Sequence, residues 1–179
     1  MERKDYLHNP THIFMDDTPY FITAAIYNKL PLLKDSQLKT LLLTCIRSAF
    51  ERYEWELHHW VILDNHYHLL GKSRNGQDLT KIIREVHSVS GFHIKKTTQV
   101  QQLVWWNYWD YCPRNEEDYL MHLNYLFNNP IKHRYVDNLN DYSFSSFHSY
   151  VESQGRETVV KQFKEYSGYK DLYHGEDDF

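Results

Sequence analysis

The sequence predicts an α+β domain in which a ferredoxin-like antiparallel β-sheet carries helices packed on one face. Segments of strand-like and helix-like periodicity alternate in the order β-α-β-β-α-β over the first two thirds of the 179 residues. Two adjacent strand segments are separated by only two residues, which indicates an antiparallel hairpin. Antiparallel pairing of this kind favours helices gathered on one side of the sheet.

The first half of the chain supplies a strand, a helix and a hairpin. Residues 20–27 read as a strand, and residues 35–52 as a helix. The inward side of that helix is predicted from apolar residues at helical spacing, namely Leu38, Leu41, Leu42, Cys45 and Ala49. Residues 55–63 and 66–72 then form two strands joined by the Asp64-Asn65 turn.

A second helix and a fourth strand follow. Residues 78–96 show helical spacing of apolar positions, carried by Leu79, Ile82, Ile83 and Val86. Residues 103–111 are rich in aromatic side chains and read as a strand. Strict alternation along it places Trp105, Trp109 and Tyr111 on one face, with Trp106 and Tyr108 on the other.

A third helix is predicted over residues 115–129. Asn115 is a good capping residue, the first turn is acidic, and the proline at position 130 favours termination before it. The buried face is defined by Leu120, Leu123, Leu126 and Phe127. The same spacing places His122, Tyr125 and Asn129 about half a turn away, off the core.

Residues 1–155 are interpreted as a single catalytic domain and residues 156–179 as a C-terminal extension that is partly mobile. Within the domain, residues 146–152 read as a short docked helix. The extension is weakly amphipathic, and mobility is expected after Gly175, where acidic residues are exposed. No internal repeat divides the chain.

Composition favours a small cytoplasmic protein. The two cysteines, Cys45 and Cys112, lack the spacing of a zinc site, and a disulfide is not expected in a reducing compartment. The first 14 residues lack the apolar run of a signal peptide, and no later segment has the length needed to cross a bilayer. We therefore expect neither secretion nor a membrane partner.

The charge distribution is more informative than the net charge of −4. That sum argues against a protein that binds duplex DNA through a large basic surface. Basic residues nevertheless outnumber acidic ones between positions 71 and 100, and others follow the third helix. Candidate phosphate contacts are Lys72, Arg74, Lys81, Arg84, Lys95, Lys132 and Arg134.

The segment His66-Tyr67-His68 is the first candidate site. Side chains two apart on a strand share a face, so both imidazoles can reach one metal ion held by a rigid sheet. A chain with 12 histidines in 179 residues is expected to contain about 0.8 such pairs by chance. A metal site therefore needs support from a second element.

Tyr125 and Asn129 on the third helix provide that second element. Nucleophilic attack on a phosphodiester needs a hydroxyl near phosphorus, removal of its proton, and a cation for the developing charge. Two imidazoles, an amide oxygen and a phenol supply these groups. The alternative is an exposed aromatic residue and an ordinary pair of histidines.

The order of these segments resembles the single-tyrosine HUH transposases (insertion-sequence 200/605-like), and within them the REP-associated tyrosine transposases. The resemblance covers roughly residues 18–151. It is carried by residues 60–70 (WVILDNHYHLL), 115–119 (NEEDY) and 122–133 (HLNYLFNNPIKH), with further matches at 19–23, 28–33 and 142–150. Tyr67 departs from the pattern, since the residue between the histidines is usually apolar and often aliphatic.

The resemblance implies a metal-dependent single-stranded DNA endonuclease and strand transferase with the HUH fold. Tyr125 would be the nucleophile that forms a 5′-phosphotyrosine intermediate, and His66, His68 and Asn129 the ligands of Mg²⁺ or Mn²⁺. The implied partner is single-stranded DNA with imperfect palindromes that form hairpins. A nucleoid-associated location follows from such a partner, and both a homodimer and a monomer are compatible with the family.

Three functions from different classes stay open at this point. The chain is an active strand transferase, or a catalytically silent, domesticated protein that binds single-stranded or hairpin DNA, or a metal-binding protein whose resemblance misleads. All four catalytic-type residues are present, which favours the first. Loss of any one of them would be enough to silence the reaction.

Overall fold

A computed structural model of the protein describes residues 14–172, so the terminal residues for which mobility was expected lie outside the described part. The strands are β1 Pro19–Ile26, β2 Glu56–Ile62, β3 His66–Lys72 and β4 Trp105–Tyr111. The helices are α1 Ser36–Arg52, α2 Leu79–Thr98, α3 Glu116–Lys132, α4 Phe147–Gln154 and α5 Arg156–Glu165. Within residues 14–172, no helix has the length and apolar character needed to span a membrane.

The four strands form one antiparallel sheet in the order β2-β3-β1-β4. Helices α1 and α2 cover one face, which we call the back face, and their apolar sides meet those strand residues that point towards them. This core includes Ile22, Leu42, Tyr67, Leu69 and Ile82, all buried. The predicted α+β ferredoxin-like fold, with its two crossover helices on one face, is confirmed.

The opposite face, which we call the site face, is covered by α3 together with α4 and α5. Its core contains Phe21, Val61 and Leu70 from the sheet and Leu126 and Phe127 from α3. The buried side chains of Gln162 in α5 and Asn124 in α3 hydrogen-bond each other over 2.7 Å. Residues 156–165 are therefore helical and packed against the same core as α3.

Strand β4 departs from the strict alternation predicted for its aromatic residues. Ala24 pairs with Tyr108 and Ile26 with Trp105, so three steps along β4 match two along β1. This bulge inserts an extra residue and places Trp105 and Tyr108 against the same back-face core. Tyr111 packs on the site face. The predicted face shared by Trp105 and Tyr111 is wrong for this reason.

Helix α3 continues past Pro130 to Lys132, whereas the sequence predicted termination before the proline. A proline removes only its own backbone donor, and the amides that follow can still bond. The amides of His133 and Tyr135 bond to the carbonyls of Asn129 and Pro130 over 3.0 and 2.9 Å. These bonds keep the last turn intact and bring Lys132 into line with the helix.

Candidate active site between β3 and α3

The two histidines of β3 point to the site face, as their spacing predicted. Their ring centroids are 5.1 Å apart and the rings are nearly perpendicular. His68 is fully buried, while His66 is half-buried at the end of the strand. Tyr67 between them points to the back face, where its hydroxyl lies 3.0 Å from Nε2 of His87. Alternation of the pleat thus presents two imidazoles together.

Each imidazole is oriented by a polar neighbour on its Nδ1 side. Thr23 Oγ1 lies 2.7 Å from Nδ1 of His68, because the two residues are register partners across β1 and β3. Asn65 Oδ1 lies 2.7 Å from Nδ1 of His66, and the Asn65 amide group donates to the carbonyl of Lys29. Such contacts fix the ring orientation of metal-binding histidines.

Asn129 approaches His66 from α3, with Oδ1 3.0 Å from Nε2 of the ring. Either ring nitrogen of a neutral imidazole can carry its single proton. In the tautomer with the proton on Nδ1, where the oxygen of Asn65 would accept it, Nε2 and the oxygen of Asn129 are two acceptors that a shared cation would bring together. Adjacent ligands of an octahedral ion with bonds of about 2.1 Å also stand roughly 3 Å apart.

The donor set therefore fits a divalent ion such as Mg²⁺ or Mn²⁺, held by His66, His68 and Asn129. The amide nitrogen of Asn129 is buried and has no hydrogen-bond partner among the described residues. Burial of this side chain therefore leaves one of its own polar atoms unsatisfied. Over residues 14–172, no set of three or more His, Cys, Asp or Glu side chains is placed to hold a metal.

Tyr125 lies beside the imidazole pair, with its ring centroid 5.5 Å from that of His68 and 5.9 Å from that of Phe21. The sequence placed His122, Tyr125 and Asn129 off the core, and this is wrong. Tyr125 is only 3% exposed, and the other two residues are equally buried. The reason is that this side of α3 rests on the sheet, while α4 and α5 cover the apolar side.

One predicted phosphate contact lies directly at the tyrosine. Nζ of Lys132 is 3.2 Å from the Tyr125 hydroxyl and 4.7 Å from its ring centroid. Arg134 follows α3 in an exposed left-handed conformation. His133 packs its ring 4.9 Å from that of His66. The end of α3 therefore brings Lys132 to the tyrosine and His133 to the imidazole pair.

The structure does not bring the other candidate cations to this site. Lys72 is the last residue of β3, at the opposite end of the strand from His66. Arg74 lies beyond it and is paired with Asp17 over 3.4 Å. The remaining three lie on α2, on the back face: Lys81, Arg84 and Lys95. Lys81 is also paired with Asp78 over 2.7 Å. Their role in phosphate binding stays a prediction.

A buried polar cluster fixes the beginning of α3. Burial by itself would raise the pKa of Asp118, but hydrogen bonds from the Arg114 amide and the Tyr111 hydroxyl hold that pKa below its usual value. Burial also lowers the pKa of His122, against the opposing effect of Asp118. The Tyr111 ring stacks on His122 at 4.6 Å. The helix that carries Tyr125 is thereby anchored to β4.

Sequence reasoning missed the orienting roles of Thr23 and Asn65. Asn65 precedes His66 directly, and an amide next to a candidate ligand is a signal that could have been used. Thr23 gives no such signal, because it lies 45 residues from His68 and becomes its neighbour only through the pairing of β1 with β3.

The chain is similar in sequence to proteins of known family. The family model described as "Transposase IS200 like" matches residues 17–113. A REP-associated tyrosine transposase of Escherichia coli K12 is 29% identical over 133 residues, covering 72% of this chain and 76% of that protein. A relative from Haemophilus influenzae is 28% identical over 123 residues, covering 60% of this chain and 70% of its own length.

The fold is also similar to a solved structure, that of a REP-associated tyrosine transposase bound to a REP hairpin. The TM-score is 0.70 at 24% sequence identity, with 85% of this chain and 88% of the other covered. This likeness concerns the fold alone.

Proposed function

This chain belongs to the IS200-like transposase family, and on that premise we propose that it cleaves and rejoins single-stranded DNA at hairpin-forming sites. The observation that carries this function is the convergence of three groups from distant parts of the chain. Tyr125 stands beside His68 while Asn129 reaches His66, so the phenol and the candidate metal ligands occupy one place on the site face.

The tyrosine is the nucleophile of the proposed reaction. Oη of Tyr125 attacks the scissile phosphorus, the bond from phosphorus to the 3′ oxygen breaks, and a 5′-phosphotyrosine link forms. The phenolic proton passes to solvent, and the leaving 3′ oxygen takes one from solvent. Because one phosphodiester replaces another, attack by a 3′-hydroxyl reverses the step without a nucleotide cofactor.

The candidate ligands and their neighbours prepare this step. His66, His68 and Asn129 hold a divalent ion, Mg²⁺ or Mn²⁺, which when bound polarises the phosphate as a Lewis acid. Asn65 and Thr23 keep the two rings in the required orientation. A polar site built on a strand and a helix keeps its geometry better than one built on loops.

The proposed substrate is single-stranded DNA with imperfect palindromes, in line with the hairpin that the similar transposase binds. Lys132 lies beside Tyr125, where it can contact a phosphate, and the exposed Arg134 follows two residues later. Tyr125 lies beside the histidines of its own chain, so a single protomer contains a complete site and a dimer is not required. Such a substrate places the protein with DNA in the cytoplasm.

A covalent adduct is the direct test. The protein is incubated with a labelled single-stranded hairpin and Mn²⁺, and a slower-migrating species that resists denaturation is expected. Tyr125→Phe should form none, whereas Tyr119→Phe, which removes a hydroxyl from the same helix that contacts His58 instead, should retain it. Hairpin binding without any adduct would indicate a silent DNA-binding protein. Failure to bind either DNA form would indicate the third alternative.

A further inference from the structure

Lys132 contacts the hydroxyl of the proposed nucleophile. Its Nζ donates a hydrogen bond to Oη of Tyr125 over 3.2 Å and lies 4.7 Å from the ring centroid. We infer that Lys132 is a catalytic residue, supplying positive charge to the phosphate that Tyr125 attacks, a role that rests on the function proposed above. It differs from a general DNA contact because it acts on the reacting atoms.

The helix geometry explains how this lysine reaches the tyrosine. Residues seven apart are separated by about two turns of an α-helix and lie on the same side. Tyr125 and Lys132 lie on the same side of one helix because α3 continues through Pro130. The last turn is fixed by backbone bonds that follow the proline and by the packing of His133 on His66. The backbone of Lys132 is therefore held at a position from which Nζ reaches Tyr125.

The distances suit a group that stabilises a phosphoryl transition state. In-line attack brings Oη to about 3–3.5 Å from phosphorus. An ammonium group has three donors, so one can remain on Oη while another reaches a non-bridging oxygen of the same phosphate. As negative charge builds up on those oxygens, a fixed cation at this distance lowers the barrier. Lys132 is exposed to solvent, so DNA can approach it.

A simpler explanation is that Lys132 only stabilises the helix. A cation in the last turn interacts favourably with the helix dipole, and a cation over an aromatic ring is attracted to the ring face. These effects need the charge near the helix end or over the ring face. They do not need Nζ on Oη, which is where the structure places it.

The lysine takes no part in the covalent balance. In cleavage the bond from Oη to phosphorus forms and the bond from phosphorus to the 3′ oxygen breaks. Tyr125 loses its proton to water, and the 3′ oxygen gains one from water. Lys132 keeps its three protons throughout and contributes charge and hydrogen bonds, in the forward and in the reverse direction alike.

Single-turnover kinetics of the full-length protein test this role. Adduct formation with a single-stranded hairpin and saturating Mn²⁺ is compared for wild type, Lys132→Met and Lys132→Arg. Lys96→Met, a change in the last turn of α2 on the back face, is the matched control. We expect Lys132→Met to lose about 10²–10³-fold in rate, as for loss of one transition-state donor. Lys132→Arg should retain part of the rate, and Lys96→Met all of it.

Two further readouts separate catalysis from binding and from folding. The dissociation constant of the hairpin should change much less than the rate, and methylammonium should restore adduct formation to Lys132→Ala. A wild-type rate in Lys132→Met, or a loss confined to hairpin affinity, overturns the catalytic role. Wild-type protein that forms no adduct overturns the proposed function and this role together, whereas an adduct in wild type with an unchanged Lys132→Met overturns only the role of the lysine.

Discussion

Both faces of the sheet bury histidine side chains, but the surroundings of the imidazole rings differ between the two faces. On the back face, His87 stacks flat on Trp105 at 4.5 Å, and burial lowers its pKa to about 3. On the site face, the ring centroids of His66 and His68 lie 5.1 Å apart, and Asn65 and Thr23 contact the two rings at Nδ1. A buried imidazole thus packs against an indole ring on one side of the sheet, whereas on the other side two imidazoles face Tyr125 and Asn129.

Strand β3 contributes side chains to both faces of the sheet. His66, His68 and Leu70 point to α3, whereas Tyr67 and Leu69 point to α1 and α2. A change at one position should therefore affect chemistry, while a change at the next should affect stability. Substitutions in this one strand therefore test whether the two faces have separate roles.

The largest effect is expected for His66→Ala. Removal of one candidate ligand should reduce adduct formation by about 10³-fold, since metal ions contribute several kcal/mol to charge stabilisation. Hairpin binding and the circular dichroism spectrum should stay close to those of wild type, because His66 is half-buried at the strand end. A rate above a tenth of the wild-type value would show that the assigned metal site is wrong.

Leu69→Ala should have the reverse profile. Leu69 is fully buried in the back-face core, so its truncation should lower the free energy of unfolding by about 3 kcal/mol. Urea denaturation measures this loss. At low temperature, where the variant stays folded, the rate of adduct formation should be unchanged. If a fully folded Leu69→Ala protein formed no adduct, the two faces would not be separable.

Asn65→Leu should weaken metal binding. Loss of the oxygen that orients His66 is expected to weaken Mn²⁺ binding by about 10–100-fold, as is typical of groups that orient a ligand. Titration calorimetry or the electron paramagnetic resonance signal of free Mn²⁺ measures the affinity. The exposed Asn107 on β4 is the control, and Asn107→Leu should bind as wild type does. Equal affinity in both variants would contradict an orienting role.

The pH dependence of stability should follow the protonation of His87. Since burial lowers the pKa of His87 from 6.5 to about 3, the unfolded chain binds a proton there that the folded chain does not. The stability contribution is present above pH 6.5 and falls by up to about 1.4 kcal/mol per pH unit as the pH drops towards 3. Unfolding midpoints of His87→Gln and wild type should therefore converge at low pH. A constant difference between pH 7.5 and 4.5 would contradict this.

Most of the fold could be predicted because its signals are local. The hairpin is the clearest example, since β3 begins at His66 and ends at Lys72 as expected, with the Asp64-Asn65 turn before it. The helices α1 and α2 begin within a residue of their predicted starts. Periodicity of apolar residues and capping side chains are enough for this, because both act within a few turns of backbone.

The failures share a different cause. The bulge in β4 depends on how β4 pairs with β1, and the continuation of α3 past Pro130 depends on the backbone bonds formed beyond it. The burial of Tyr125 depends on which side of α3 rests on the sheet. Each of these is decided by a partner distant in sequence, which local propensity does not report.

The order of the elements, the shared face of His66 and His68, and the residue types suited to phosphodiester chemistry could be predicted from the sequence. Three contacts became visible only in the folded chain: Tyr125 and Asn129 lie beside those histidines, Thr23 orients one of them, and Lys132 reaches the phenol. Periodicity and chemical type are properties of each short segment. The convergence of groups depends on strand register and helix packing, which are set by contacts between segments far apart in the chain.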